Sequence, residues 1–157
     1  MGKSLIDIAK EVIQTESDSV LLLKDRIDQN FIDVCHTLKS CMGKVVLIGM
    51  GKSGHIAKKI SSTLASTGTP AFYLHPGEAG HGDLGMVSHD DVVIMISYSG
   101  ESDEIIALLP GIKRMNVLII SMTGNAKSSI ASSSDFHLDV SVDKEAVSYT
   151  HLRAHET

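Results

Sequence analysis

Apolar residues recur along this chain with two different periods, and the switch between them divides it. Between residues 3 and 24, Leu5, Ile8, Val12, Ile13, Val20 and Leu23 fall near one face at helical spacing, which predicts an amphipathic helix. Residues 27–40 repeat the pattern with Ile27, Phe31, Val34, Cys35 and Leu38. Cys35 on that stripe is expected to be a buried small apolar residue rather than a reactive thiol. These two stripes need a surface to cover them, either the body of the protein or a second subunit.

From Lys44 the period shortens. Residues 44–48 form a near-continuous apolar run, as do 91–96 and 116–120. Runs of this kind are typical of strands covered on both faces of a parallel sheet. Residues 71–74 and 136–140 predict two further strands, the first entered through Gly68-Thr69-Pro70. Helical patterns separate them at 53–66, 102–114 and 126–132, with Pro110 expected to end or kink the second. The glycine-rich residues 75–86 read as a loop. Strands alternating with helices imply an α/β fold: a three-layer, doubly wound, parallel five-stranded sheet of flavodoxin-like type, preceded by two N-terminal helices.

Two strand ends carry the candidate chemistry. Gly49-Met50-Gly51-Lys52-Ser53-Gly54 follows the first strand, and Ser97-Tyr98-Ser99-Gly100-Glu101-Ser102 follows the third. Each opens a helical segment, where unpaired N–H groups and the positive end of a helix favour an anion. The first stretch fits G-x-G-x-x-G, yet no acidic residue closes the second strand to take a ribose, and the nearest is Glu78 in the glycine-rich loop. A P-loop would need glycine where Val46 stands, so that reading fails. The second stretch brings three hydroxyls and a glycine to one turn. Ser102 as a plain helix cap, with Ser97 and Ser99 shaping the turn, is the simpler alternative for that stretch alone. Two such corners at one sheet edge favour a phosphate.

Composition narrows the field. The 157 residues are 43% hydrophobic and 21% charged, enough for one packed domain. With no Trp, three Phe and three Tyr, the core must be aliphatic. A formal charge of −5 and scattered Lys and Arg do not fit a nucleic-acid binder. No stretch reaches the roughly 20 apolar residues of a membrane helix, residues 1–10 lack the apolar run of a signal peptide, and Cys35 and Cys41 form no paired pattern. A reduced, cytoplasmic protein is expected. His75, His81 and His89 lie near one another in sequence, but no carboxylate or thiol completes a ligand pattern. Neither a metal nor another cofactor is expected.

Five ordered motifs then resemble a known family: residues 49–55, 65–70, 75–79, 81–86 and 97–102 look like the sugar isomerase (SIS) domain of D-arabinose 5-phosphate isomerases. The resemblance runs from about Leu5 to about Ala146, which sets a domain over 1–146 and an atypical tail over 147–157. It implies interconversion of D-ribulose 5-phosphate and D-arabinose 5-phosphate, feeding 3-deoxy-D-manno-octulosonate (Kdo) synthesis for lipopolysaccharide or capsule. It further implies a homo-oligomer, a tetramer in the family, and C-terminal CBS domains in most members. Carried over by motif, Ser53, Ser97, Ser99 and Ser102, with Gly51 and Gly100, would hold the substrate phosphate. Lys52, Glu104, Glu145 and His81 would be catalytic: Lys52 as the charge near the sugar oxygens, the two carboxylates as proton-shuttle candidates, and His81 in ring opening or proton transfer. Glu101 belongs to the same motif without a defined role.

Beyond Ala146 the pattern departs. The family would continue through a Leu-Ala-Pro-Thr-like segment, a long helix and a histidine motif. His151 and His155 do not match that motif. The departure reads as truncation or foreign sequence, and it leaves a non-catalytic sugar-phosphate binder of the same fold as the second reading. An isomerase of another sugar phosphate would share the same phosphate contacts.

Overall fold

The computed structural model describes residues 3–143. Its described residues divide into two compact units, 3–27 with 142–143, and Asp28–Ser141. In the first, helix α1 (Leu5–Leu22) starts at Ser4, whose hydroxyl accepts the Asp7 N–H at 3.2 Å, and passes into a 3-10 turn at Leu23–Arg26. α1 has no buried residue.

The second unit holds α2 (Gln29–Lys39), β1 (Val45–Gly49), α3 (Gly51–Ser66), β2 (Ala71–Leu74), α4 (Pro76–Gly80), β3 (Val92–Ile96), α5 (Asp103–Ile106), α6 (Leu109–Arg114), β4 (Leu118–Thr123), α7 (Ser129–Ser132) and β5 (Phe136–Asp139). The five strands form one sheet in the order β2-β1-β3-β4-β5, and every pairing is parallel. The doubly wound sheet expected from the alternating periods is therefore present.

The strands read as unbroken apolar runs because both faces are covered. Val46, Ile48, Val93, Met95 and Ile119 pack on one side with Ile105, Leu109, Ile112 and Ile130 from α5, α6 and α7. Val45, Leu47, Val92, Ile94 and Ile120 face the other side with Val34 of α2 and Ala57 of α3. Each fully buried aliphatic side chain contributes about 1.5–3 kcal/mol relative to exposure. Alternation along β1 and β3 thus serves two cores at once.

Several boundaries differ from the sequence expectation. Residues 75–86 are not a plain loop: His75 Nδ1 accepts the Gly77 N–H at 3.1 Å, Pro76 opens α4, and a 3-10 turn follows at Asp83–Met86. Proline is at home in a first helical turn, where its missing N–H costs nothing. The single helix expected over 102–114 is two, because Pro110 cannot continue a helix begun at Asp103 and instead sits in the first turn of α6. The fourth strand starts at Leu118, after Asn116 takes φ 55, and runs on to Thr123. The helix expected over 126–132 begins only at Ser129, capped by Ser128, whose hydroxyl accepts the Ala131 N–H. Cys35 is exposed, not buried; Val34 is the residue of α2 that enters the core.

Candidate functional site

The order β2-β1-β3 means the chain leaves β1 in one direction across the sheet and returns to start β3 on its other side. Strand order reverses between β1 and β3, which is where sheets of this kind open a crevice at their carboxyl ends. Gly49 pairs with Ile96 at the last rung of that ladder. The glycine turn and the serine turn, the two stretches singled out above, therefore leave the sheet side by side, on strands about 4.8 Å apart.

The glycine turn is shaped by close packing. A Cβ on Gly49 would lie 2.8 Å from the Ser53 carbonyl oxygen, and one on Gly54 would lie 2.9 Å from both the Gly49 oxygen and Tyr73 Oη. Gly51 has open space around it but sits at φ 54, the left-handed region that favours glycine. No side chain caps α3 at Met50. Its first turn presents Lys52, exposed, and Ser53, half-buried.

The serine turn is knit by its own hydroxyls. Ser97 is buried; its Oγ accepts the Gly100 N–H at 3.2 Å and shares a 2.8 Å hydrogen bond with Ser102 Oγ. Ser99 Oγ accepts the Glu101 N–H at 3.2 Å. Ser102 occupies the cap position of α5 yet makes no side-chain cap bond, so the cap-only alternative does not describe it. The N–H groups of Ser99 and Ser102 find no acceptor among the described residues. Ser99 Oγ, an acceptor in the turn, keeps its own O–H to donate. These are the donors a dianion would take.

Glu104 is exposed in the first turn of α5, and His81 is exposed at the end of α4. Glu145 lies outside the described residues. The structure thus brings Lys52, Ser53, Ser97, Ser99, Ser102, Gly51 and Gly100 to adjacent strand ends, with Glu104 one turn beyond. His81 follows β2, the strand on the far side of β1.

Two residues with structural parts in this site carried no role in the sequence reading. Tyr73 Oη donates to the Gly49 carbonyl at 2.8 Å, Lys58 Nζ lies 4.9 Å from the centroid of its ring, and His75 meets it edge-on. Burial, reinforced by the Glu78 carboxylate, raises the Tyr73 pKa above its usual value. A tyrosine in an otherwise apolar strand was the available signal, because its hydroxyl needs a partner once covered. The other is Glu101, whose Oε1 accepts the Ser129 N–H at 2.8 Å.

Residues 38–154 match the family described as SIS domain. The chain is 56% identical over 137 residues to arabinose 5-phosphate isomerase KdsD of Escherichia coli K12, covering 87% of this chain and 42% of that protein. It is 51% identical over 141 residues to the Pseudomonas aeruginosa protein of the same name, covering 90% and 43%. Among solved structures, an E. coli CFT073 protein in complex with arabinose 5-phosphate superposes with a TM-score of 0.87 at 47% identity, covering 94% of this chain and 79% of that one. The chain thus spans less than half the length of the curated relatives it matches.

Proposed function

The chain belongs to the SIS domain family, and on that premise we propose that it interconverts D-ribulose 5-phosphate and D-arabinose 5-phosphate. The single observation that carries the reading is the pairing of Gly49 with Ile96, which sets the glycine and serine turns next to each other at the reversal of strand order. The identity to proteins named arabinose 5-phosphate isomerase supports the choice of sugar.

In this reading Ser53, Ser97, Ser99 and Ser102 hold the phosphate, with the N–H groups of Ser99 and Ser102 completing the grip. Aldose–ketose isomerisation removes the proton on C2 of the aldose, leaves the electron pair in an enediolate, and returns a proton to C1, while a second proton passes from the C2 hydroxyl to O1 so that the carbonyl moves to C2. Lys52 stabilises the oxygen charge that develops, the larger need in such a step. Glu104 is the carboxylate we assign to the proton transfer, with Glu145 as its companion and His81 assisting ring opening. We extend the proposal to a cytoplasmic protein whose product feeds Kdo synthesis, and to a homo-oligomer, a tetramer by resemblance.

The test is incubation of the purified protein with D-ribulose 5-phosphate, following D-arabinose 5-phosphate. Turnover is expected, with Ser99→Ala weakening sugar-phosphate binding by about 1–3 kcal/mol. Binding without turnover would favour the non-catalytic reading, and an unchanged dissociation constant in Ser99→Ala would remove the serine turn from the phosphate site.

A further inference from the structure

We propose that Glu101 is a positioning residue for the phosphate-gripping serine turn, fastening it to α7; this rests on the phosphate reading given above.

A helix begins with N–H groups that have no partner within it, and α7 disposes of them in an unusual way. The Ser129 N–H donates to Glu101 Oε1 at 2.8 Å, and the Ile130 N–H donates to the Gly100 carbonyl at 3.1 Å. Only the Ala131 N–H is met locally, by the hydroxyl of Ser128 at 3.3 Å. Two of the first three donors of α7 are therefore satisfied by the serine turn, across 28 residues of sequence in the case of Glu101.

The contact is close as well as polar. Gly100 holds φ 67, and a Cβ there would collide with Ser128 Oγ, which is buried. The turn is thus fixed from two sides. Its inward groups, Ser97 Oγ, Ser102 Oγ and the Gly100 N–H, bond one another. Its outward groups, the Gly100 carbonyl and the Glu101 carboxylate, bond α7. Hydrogen bonds from the Ser129 side chain and N–H hold the Glu101 carboxyl below its usual range. It therefore remains an acceptor throughout the neutral range. Ile130, the next residue, is fully buried in the core on one face of the sheet, which ties α7 to it.

A phosphate gains from donors that are already in place, because ordering a turn at the moment of binding costs affinity. Loss of the Glu101 bond would loosen the serine turn, which the Ile130 N–H to Gly100 carbonyl and Gly124 N–H to Tyr98 carbonyl bonds still hold, without removing any group assigned to the sugar phosphate. The expected signature is loss of phosphate affinity with little change in the chemical step.

The experiment compares wild type, Glu101→Ala and Glu101→Gln. The glutamine keeps a carbonyl oxygen for the Ser129 N–H. Glu101→Ala should raise the dissociation constants of the sugar phosphate and of inorganic phosphate roughly three- to tenfold, with kcat within about twofold of wild type. Amide exchange at Ser129 and Ile130 should accelerate in the alanine variant. Glu101→Gln should recover most of both effects. If kcat falls as much as affinity and glutamine does not rescue, Glu101 acts on the reacting atoms and the proposal is wrong. Faster exchange at Ser129 with unchanged affinity would reduce Glu101 to a helix cap and equally sink it. A wild-type protein that binds neither phosphate probe would instead defeat the underlying function, and the positioning role with it, a result separable from the other two.

Discussion

Asp91 is a carboxylate with no side-chain surface open to solvent, at the amino end of β3 and so at the opposite edge of the sheet from the serine turn. Burial alone would push its pKa up. The Ser88 and Lys44 N–H groups, each 2.8 Å away, and the Lys44 ammonium at 2.9 Å outweigh that and hold it below the usual carboxylate value. The residue therefore fastens the start of β1 to the start of β3. A carboxyl whose pKa is lowered by folding adds stability that is complete above its unfolded pKa, about 3.9, and is lost as pH falls through the lower folded value. Asp91→Asn should cost about 1–3 kcal/mol at pH 7 by leaving N–H donors facing an amide. The gap from wild type should close as denaturation is repeated toward pH 3. Because the site is at the far strand ends, sugar-phosphate affinity at pH 7 should stay within about twofold of wild type. A pH-independent gap would mean that the charge on Asp91 is not what stabilises.

At the scale of elements, the β1–α3 junction shows why glycine stands at 49 and 54. The helix enters so close to the strand that a methyl at Gly54 would press on the Gly49 carbonyl and on Tyr73 Oη, the donor that holds that carbonyl. Gly54→Ala should therefore either displace Tyr73 or tilt the first turn of α3, costing about 1–3 kcal/mol in stability and moving Lys52 and Ser53 together. Thermal unfolding and a titration with sugar phosphate would both register it, and a variant as stable and as tight-binding as wild type would show that the turn has slack. Much of this was legible in sequence. β1 and β3 announced themselves because two-faced burial demands unbroken apolar runs, and the glycine spacing marked the junction. What depended on contacts between distant segments was not legible. The Glu101 carboxylate meets an N–H 28 residues later, α4 rests on a cap made by a histidine ring, and Cys35 shares a helical stripe with Val34 but not its burial. Periodicity places a residue on an arc of a helix and does not say how much of that arc is covered.

For the whole molecule, α1 poses the remaining physical question. Leu5, Ile6, Ile13 and Val20 are 85%, 68%, 67% and 65% exposed, and the last three recur every seven residues along one flank. Apolar surface left in water costs about 25 cal/mol per Å² relative to a covered face, so a helix of this composition favours association. The homo-oligomer we propose would cover it with the same helix from another copy, since a seven-residue apolar repeat suits helix-to-helix packing. Sedimentation at micromolar concentration should give a mass of several subunits for the wild-type chain. Ile13→Glu combined with Val20→Glu should lower that mass, because two buried carboxylates per helix would oppose the contact at several kcal/mol. Both turns of the candidate site come from the Asp28–Ser141 unit of one chain, so the phosphate affinity of the double variant should remain within about threefold of wild type. A monomeric wild type would remove the oligomer from the proposal. An undiminished mass in the double variant would move the contact away from α1, and a collapse of phosphate binding alongside the lower mass would mean that a second subunit completes the site.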